Sequence, residues 1–60
     1  MNAQRAEEIA ASPVMINVTH NGTPIYIQRV DSQTGTARVY PLGQPESEQE
    51  VPVNSLIEAQ

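Results

Sequence analysis

Cysteine is absent from this 60-residue chain, so neither disulfides nor thiolate metal sites can reinforce it. Lysine is absent too. Three arginines make up the whole basic complement, against seven acidic residues, for a net charge of −4. No run of ~20 apolar residues occurs, so no membrane-spanning helix is expected. No basic segment leads into a short apolar one, so the pattern of a secretory signal is missing. Phosphate-cradling loops, nucleophile elbows and dinucleotide fingerprints are missing as well.

What is present is thin. Of 60 residues, 13 are Val, Ile or Leu, and the two aromatics are Tyr26 and Tyr40. That composition lies just above the range that stays unfolded. A chain of this length buries only ~60% of its unfolded surface. The reading is therefore one small domain, residues 1–60, that is marginal as a monomer.

The placement of charge says more than its total. From Met1 to Leu42, Arg5, Arg29 and Arg38 balance Glu7, Glu8 and Asp31, and the excess lies in Glu46, Glu48, Glu50 and Glu58. Duplex DNA carries one negative charge per ~1.7 Å of axis, so a protein that coats it needs several bases on one surface. Three scattered arginines beside an acidic segment do not supply them, and duplex DNA is disfavoured as a partner. The acidic run reads as a solvated loop.

Local patterns predict a helix over residues 2–12. Asn2 can cap it, Ala3, Ala6, Ile9 and Ala10 form a narrow apolar stripe, and Ser12-Pro13 ends it. The period then changes to two. Val14, Ile16 and Val18 alternate with Met15, Asn17 and Thr19, which predicts a strand over about 14–20. Asn21-Gly22 is a strong hairpin signal, and 24–30 is the return strand. A two-residue loop pairs Val18 with Ile25 and Ile16 with Ile27, placing four aliphatics on one face.

Asp31 to Gly35 marks a second turn before a strand over 36–42. A five-residue loop pairs Val30 with Thr36, Ile27 with Val39 and Tyr26 with Tyr40. A four-residue loop would oppose Arg29 and Arg38, which like-charge repulsion disfavours. Residues 50–53 form a fourth, short strand that Pro52 marks as an edge. Asn54 or Ser55 caps a last turn in which Leu56 and Ile57 close one end of the core.

The expected fold is mainly β within the α+β class: a short N-terminal helix, then a small, strongly curved antiparallel β-meander. So small a sheet needs its apolar face covered. The helix, a curl into a small SH3-like barrel, and a second copy of the chain in a homodimer are the available covers.

Candidates for chemistry are few. His20 is the lone histidine, beside a hairpin turn with no nucleophile near it. Glu46, Glu48 and Glu50 would point one way in an extended chain, but the glycine turn and mixed oxygen ligands of a calcium loop are missing. Little chain is left to build a water-excluding pocket. No catalytic residue, metal, cofactor or small-molecule substrate is expected. One patch is left to weigh: Tyr26, Tyr40, Arg38 and Gln28, which the five-residue loop gathers on the outer sheet face. Aromatics with arginine serve protein interfaces and single-stranded nucleic-acid binders through stacking and cation–π contact. The same residues also suit a cross-strand tyrosine pair that simply stabilises the hairpin by ~0.5–1 kcal/mol.

The strings MNAQRAEEIAASPVMINVTHNG, PIYIQRVD, TARVYPL and EQEVPVNSLIE, in that order and spacing, resemble the H-type small acid-soluble spore proteins of endospore-forming bacteria. The resemblance runs from Met1 to about Glu58, with Gly43 to Ser47 the least distinctive part. It implies a minor, non-enzymatic, intracellular protein of the dormant spore core, made in the forespore during sporulation. It implies no catalytic or ligand residues. The α/β-type spore proteins that coat DNA share the name and not the sequence, so DNA protection does not carry across. The alternative from a different class is a small β binding module that docks a protein or single-stranded RNA through its Tyr/Arg face.

Overall fold

The computed structural model describes residues 1–59. The single-domain reading extends to Gln60, which lies outside the described residues. Helix α1 (Ala3–Ala11) is followed by β1 (Val18–His20), β2 (Thr23–Asp31), β3 (Thr36–Pro41), β4 (Gln49–Pro52), a 3-10 turn (Val53–Ser55) and β5 (Leu56–Glu58). The strands form one antiparallel sheet in the order β4-β3-β2-β1-β5.

The connection between β4 and β5 forces the sheet to curl. These strands are the two edges, and four interstrand spacings would separate them by ~19 Å in a flat sheet. Only the 3-10 turn joins them, and it advances ~2 Å per residue. The edges must therefore approach, which makes a curled half-barrel. The fold class read from the sequence, mainly β with one short helix over a curved meander, is the one observed.

Helix α1 begins where expected. The Asn2 side chain accepts a 2.8 Å hydrogen bond from the Arg5 amide, and Ser12 ends the helix in extended conformation. Ala6 and Ile9 are buried, and Ala3 and Ala10 pack on the rim of the core. The helix thus covers the inner sheet face, where Val18, Ile25, Ile27, Ala37, Val39, Val51 and Leu56 are all buried. At ~25 cal/mol per Å² of apolar area removed from water, this single layer is the principal stabilising term.

The first hairpin has the anticipated register, Val18 against Ile25 and His20 against Thr23. Both turn residues have positive φ, 52° at Asn21 and 80° at Gly22, as a two-residue loop of this twist requires. Strand β1 is shorter than the expected 14–20. Val14 and Met15 are exposed in the segment that leads in from α1, and Ile16 is half-buried against the core without a strand partner. The expected pairing of Ile16 with Ile27 is not formed.

The second hairpin combines two registers. Tyr26 opposes Tyr40 and Ile27 opposes Val39, as the five-residue loop predicts. Beyond a bulge at Gln28 the register shifts, so Arg29 opposes Arg38, Val30 opposes Ala37 and Asp31 opposes Thr36. The expected pairing of Val30 with Thr36 is replaced, and the loop has four residues. The bulge turns Val30 back to the inner face, where it packs on the core; an unbroken alternation would have left it outside. The turn is tied by Asp31, whose Oδ1 accepts from the Gln33 and Thr34 amides, and by Gly35 at φ 71°.

The C-terminal segment departs most from expectation. Leu56 to Glu58 form a strand, not a closing turn, and pair with β1: His20 with Leu56, Thr19 with Ile57, Val18 with Glu58. The Ala59 amide extends the ladder to the Asn17 carbonyl at 2.8 Å. Leu56 does close the core, at 1% exposure, while Ile57 faces outward.

Candidate functional site

The inner face is filled by aliphatics, so the polar chemistry lies outside. Residues alternate across β3, with Ala37 and Val39 inward and Thr36, Arg38 and Tyr40 outward. Tyr40 meets Tyr26 directly across the hairpin, with ring centroids 5.4 Å apart and planes tilted by 37°. That spacing is within the range of favourable aromatic pairs. Tyr26 is 43% exposed and Tyr40 is half-buried.

Arg38 stands two residues from Tyr40 on the same face. Its Nε donates to Glu48 Oε1 at 2.9 Å. Arg29 on β2 and Glu50 on β4 flank it, each directly opposite in register. Gln28, at the bulge, lines a shallow surface concavity with Arg29, Arg38 and Glu48. The four residues singled out from the sequence thus occupy one face, but Arg38 is not a free cation laid across the tyrosines. Two arginines, Arg29 and Arg38, share this face with Asp31, Glu48 and Glu50, which leaves the group at −1. The like-charge pairing of the arginines is offset by these carboxylates, and phosphate recognition gains nothing from such a surface.

The alternating glutamates take separate roles. Residues 43–47 turn, with Gln44 N–H on the Pro41 carbonyl and Ser47 N–H on the Gln44 carbonyl, both at 2.9 Å. Glu48 goes to Arg38, and Glu50 accepts from Thr36 Oγ1 at 2.6 Å. Among the described residues, no three His, Asp or Glu side chains gather in an arrangement that could hold a metal ion. His20 sits between Thr23 and Leu56 in the ladder.

Sequence reasoning missed a clamp between the two ends of the chain. Arg5 on α1 reaches Glu58 on β5 through two hydrogen bonds, Nε to Oε1 at 2.9 Å and Nη2 to Oε2 at 2.6 Å, and also touches Glu8 at 3.1 Å. These bonds hold the Glu58 carboxyl below the usual carboxylate range and raise the Arg5 guanidinium above its own. The Met1 ammonium adds two bonds, to the Leu56 carbonyl at 3.0 Å and the Val53 carbonyl at 3.3 Å. No sequence signal marks these contacts, because their partners are more than 50 residues apart and meet only once β5 pairs with β1.

Comparison with known proteins agrees along the chain. The family model described as the small acid-soluble spore protein H family matches residues 1–58. The protein named small, acid-soluble spore protein H in Bacillus licheniformis is 67% identical over 97% of this chain and 98% of its own length. Proteins of the same name in Halalkalibacterium halodurans and Bacillus subtilis are each 62% identical, over 97% of this chain and 97% and 98% of their own lengths. No solved structure matches the chain.

Proposed function

Because the chain belongs to the small acid-soluble spore protein H family, we propose that it is a non-enzymatic protein of the dormant spore core, made in the forespore during sporulation, with a packing, protective or reserve role. The family match over residues 1–58 carries this reading. The described side chains support its non-enzymatic part. The Arg5 and Glu58 pKa values are displaced because the two side chains face each other in a structural ion pair that joins α1 to β5. No described helix is long and apolar enough to cross a membrane.

Fractionation tests the proposal. An antibody against the protein should find it in the acid-soluble extract of decoated spores and not in vegetative cells. Recovery from the coat fraction, or from growing cells at equal abundance, would contradict it.

A second reading takes the outer face of β2 and β3 as a docking surface, because Tyr26 stays 43% exposed beside Tyr40. The carboxylates around Arg38 favour a protein over single-stranded RNA as the partner. Titration of single-stranded RNA at low salt checks the nucleic-acid version, and absence of binding at tens of micromolar removes it.

A further inference from the structure

The chain holds four asparagines, Asn2, Asn17, Asn21 and Asn54, and all four are exposed. What differs is the residue that follows each. Ala3 and Ser55 are half-buried, and Val18 is buried with a branched Cβ. Gly22 is exposed and has no Cβ, and the place where one would stand is empty to 4 Å. The surroundings differ as well. Asn2 Oδ1 accepts from the Arg5 amide at 2.8 Å, and the Asn17 carbonyl accepts from the Ala59 amide at 2.8 Å. Asn54 lies inside the 3-10 turn, where Ser55 Oγ donates to the Pro52 carbonyl. Asn21 and Gly22 form the tip of the first hairpin, beyond the His20–Thr23 pair. Among the described residues, no hydrogen bond within the chain holds the Gly22 N–H.

We propose that Asn21-Gly22 is a site of spontaneous modification, at which the turn converts its own asparagine to isoaspartate or aspartate with loss of ammonia. The Gly22 amide nitrogen gives up its proton to a solvent base and attacks Asn21 Cγ. An N–Cγ bond forms, the Cγ–Nδ2 bond breaks and ammonia leaves, which closes a cyclic imide. Water then opens the ring. Cleavage of the N–Cγ bond gives aspartate. Cleavage between that nitrogen and the Asn21 backbone carbonyl carbon gives isoaspartate, and the chain then runs through Cβ and Cγ. Overall one water is consumed, one ammonia is released and one carboxylate is gained. The attacking atom is a backbone nitrogen that a following side chain crowds, so the glycine at this exposed tip selects Asn21 over the other asparagines.

The two products differ in what they do to the fold. Aspartate leaves the backbone unchanged, and Asp-Gly suits the same two-residue loop. Isoaspartate inserts a methylene into the backbone between residues held at φ 52° and 80°, so the loop no longer fits the register of its strands. Strand β1 has three residues and pairs with β2 on one side and β5 on the other. A fault at its end therefore loosens both ladders, and with them the closure that Leu56 gives the core.

The inference is independent of the spore-core assignment and of the docking reading. Ageing the folded full chain in mildly alkaline buffer tests it. Peptide mapping with electron-transfer fragmentation locates the lost amide and separates isoaspartate from aspartate. Asn21→Gly is the control, since Gly-Gly suits the same turn and has no carboxamide to cyclise. The expected result is amide loss at Asn21 at least about tenfold faster than at Asn2, Asn17 or Asn54, a barrier lower by ~1.4 kcal/mol. In the isoaspartate form, isolated by chromatography, the Thr19–Ile57 contact should weaken and the Ala59 amide should exchange faster. Asn21→Gly aged in parallel should keep both as they began. Equal rates at the four asparagines overturn the proposal, as does an isoaspartate form with these contacts intact. Neither result bears on the RNA titration or on spore fractionation, so failures of the separate readings are distinguishable.

Discussion

Val39 is the residue on which the aliphatic layer can be tested most sharply. It lies at the middle of β3, opposite Ile27, with none of its surface exposed. Val39→Ala removes two methyl groups from a closed environment. At ~0.8 kcal/mol per buried carbon, the transfer loss is ~1.6 kcal/mol. A residual cavity of up to ~40 Å³ at ~24 cal/mol per Å³ adds up to ~1 kcal/mol. The expected cost is therefore ~2–2.5 kcal/mol. A 60-residue chain has roughly 3–9 kcal/mol of total stability, so this change removes a large fraction of it. One kcal/mol moves the melting temperature of so small a domain by ~4–8 °C, which predicts a drop of ~10–20 °C. Thermal and urea unfolding followed by circular dichroism measure it. Val14→Ala makes the same chemical change at a site 69% exposed and should stay within ~0.5 kcal/mol of wild type. If the two variants melt together, the inner layer does not stabilise the fold as argued.

Three further outcomes follow from particular contacts. Asn2→Ala should cost ~1 kcal/mol, because the Arg5 amide loses its capping acceptor; an unchanged urea midpoint would contradict the cap. The Arg5 bonds hold the Glu58 pKa below its unfolded value, so their contribution is complete above the ordinary carboxylate pKa of 4.5 and is lost as pH falls through the folded value. Glu58→Gln should thus be less stable than wild type at neutral pH, with the gap closing in strong acid; a gap that persists at low pH would show that the pair is not its source. Deleting Gln28 removes the bulge yet keeps Ile25, Ile27 and Val30 inward and Tyr26, Arg29 and Asp31 outward, so the deletion variant should still fold with well-dispersed amide resonances, and collapse of that dispersion would count against the register.

Features written in short stretches of sequence were legible. Asn2 announces the helix start, Ser12-Pro13 its end, and Asn21-Gly22 the first hairpin together with its register. The pairing of Tyr26 with Tyr40 was legible as well, because it lies on the side of the bulge where the simple count holds. Features decided by distant partners were not. Leu56-Ile57-Glu58 shows no clear alternation and follows residues suited to a cap; β1, more than 35 residues earlier in the chain, makes it a strand. Pairwise charge alone disfavours the four-residue turn, because it opposes Arg29 and Arg38. Burial of Val30 and the nearby Asp31, Glu48 and Glu50 outweigh that repulsion, and all of these lie outside the pairwise argument. Strand alternation gathers Tyr26, Tyr40 and Arg38 on one face, whereas the pairing of Arg38 with Glu48 depends on how the 43–47 turn returns the chain and is not written in either strand.

The central claim is that a single aliphatic layer is closed by curling the sheet until its two edges are joined through the 3-10 turn. Backbone nuclear Overhauser effects across β1 and β5 test this most directly. The account predicts contacts between Thr19 and Ile57 and between His20 and Leu56, together with slow exchange of the Ala59 amide bonded to Asn17. A folded chain lacking these contacts, with the Leu56–Glu58 amides exchanging as fast as a free terminus, would contradict it.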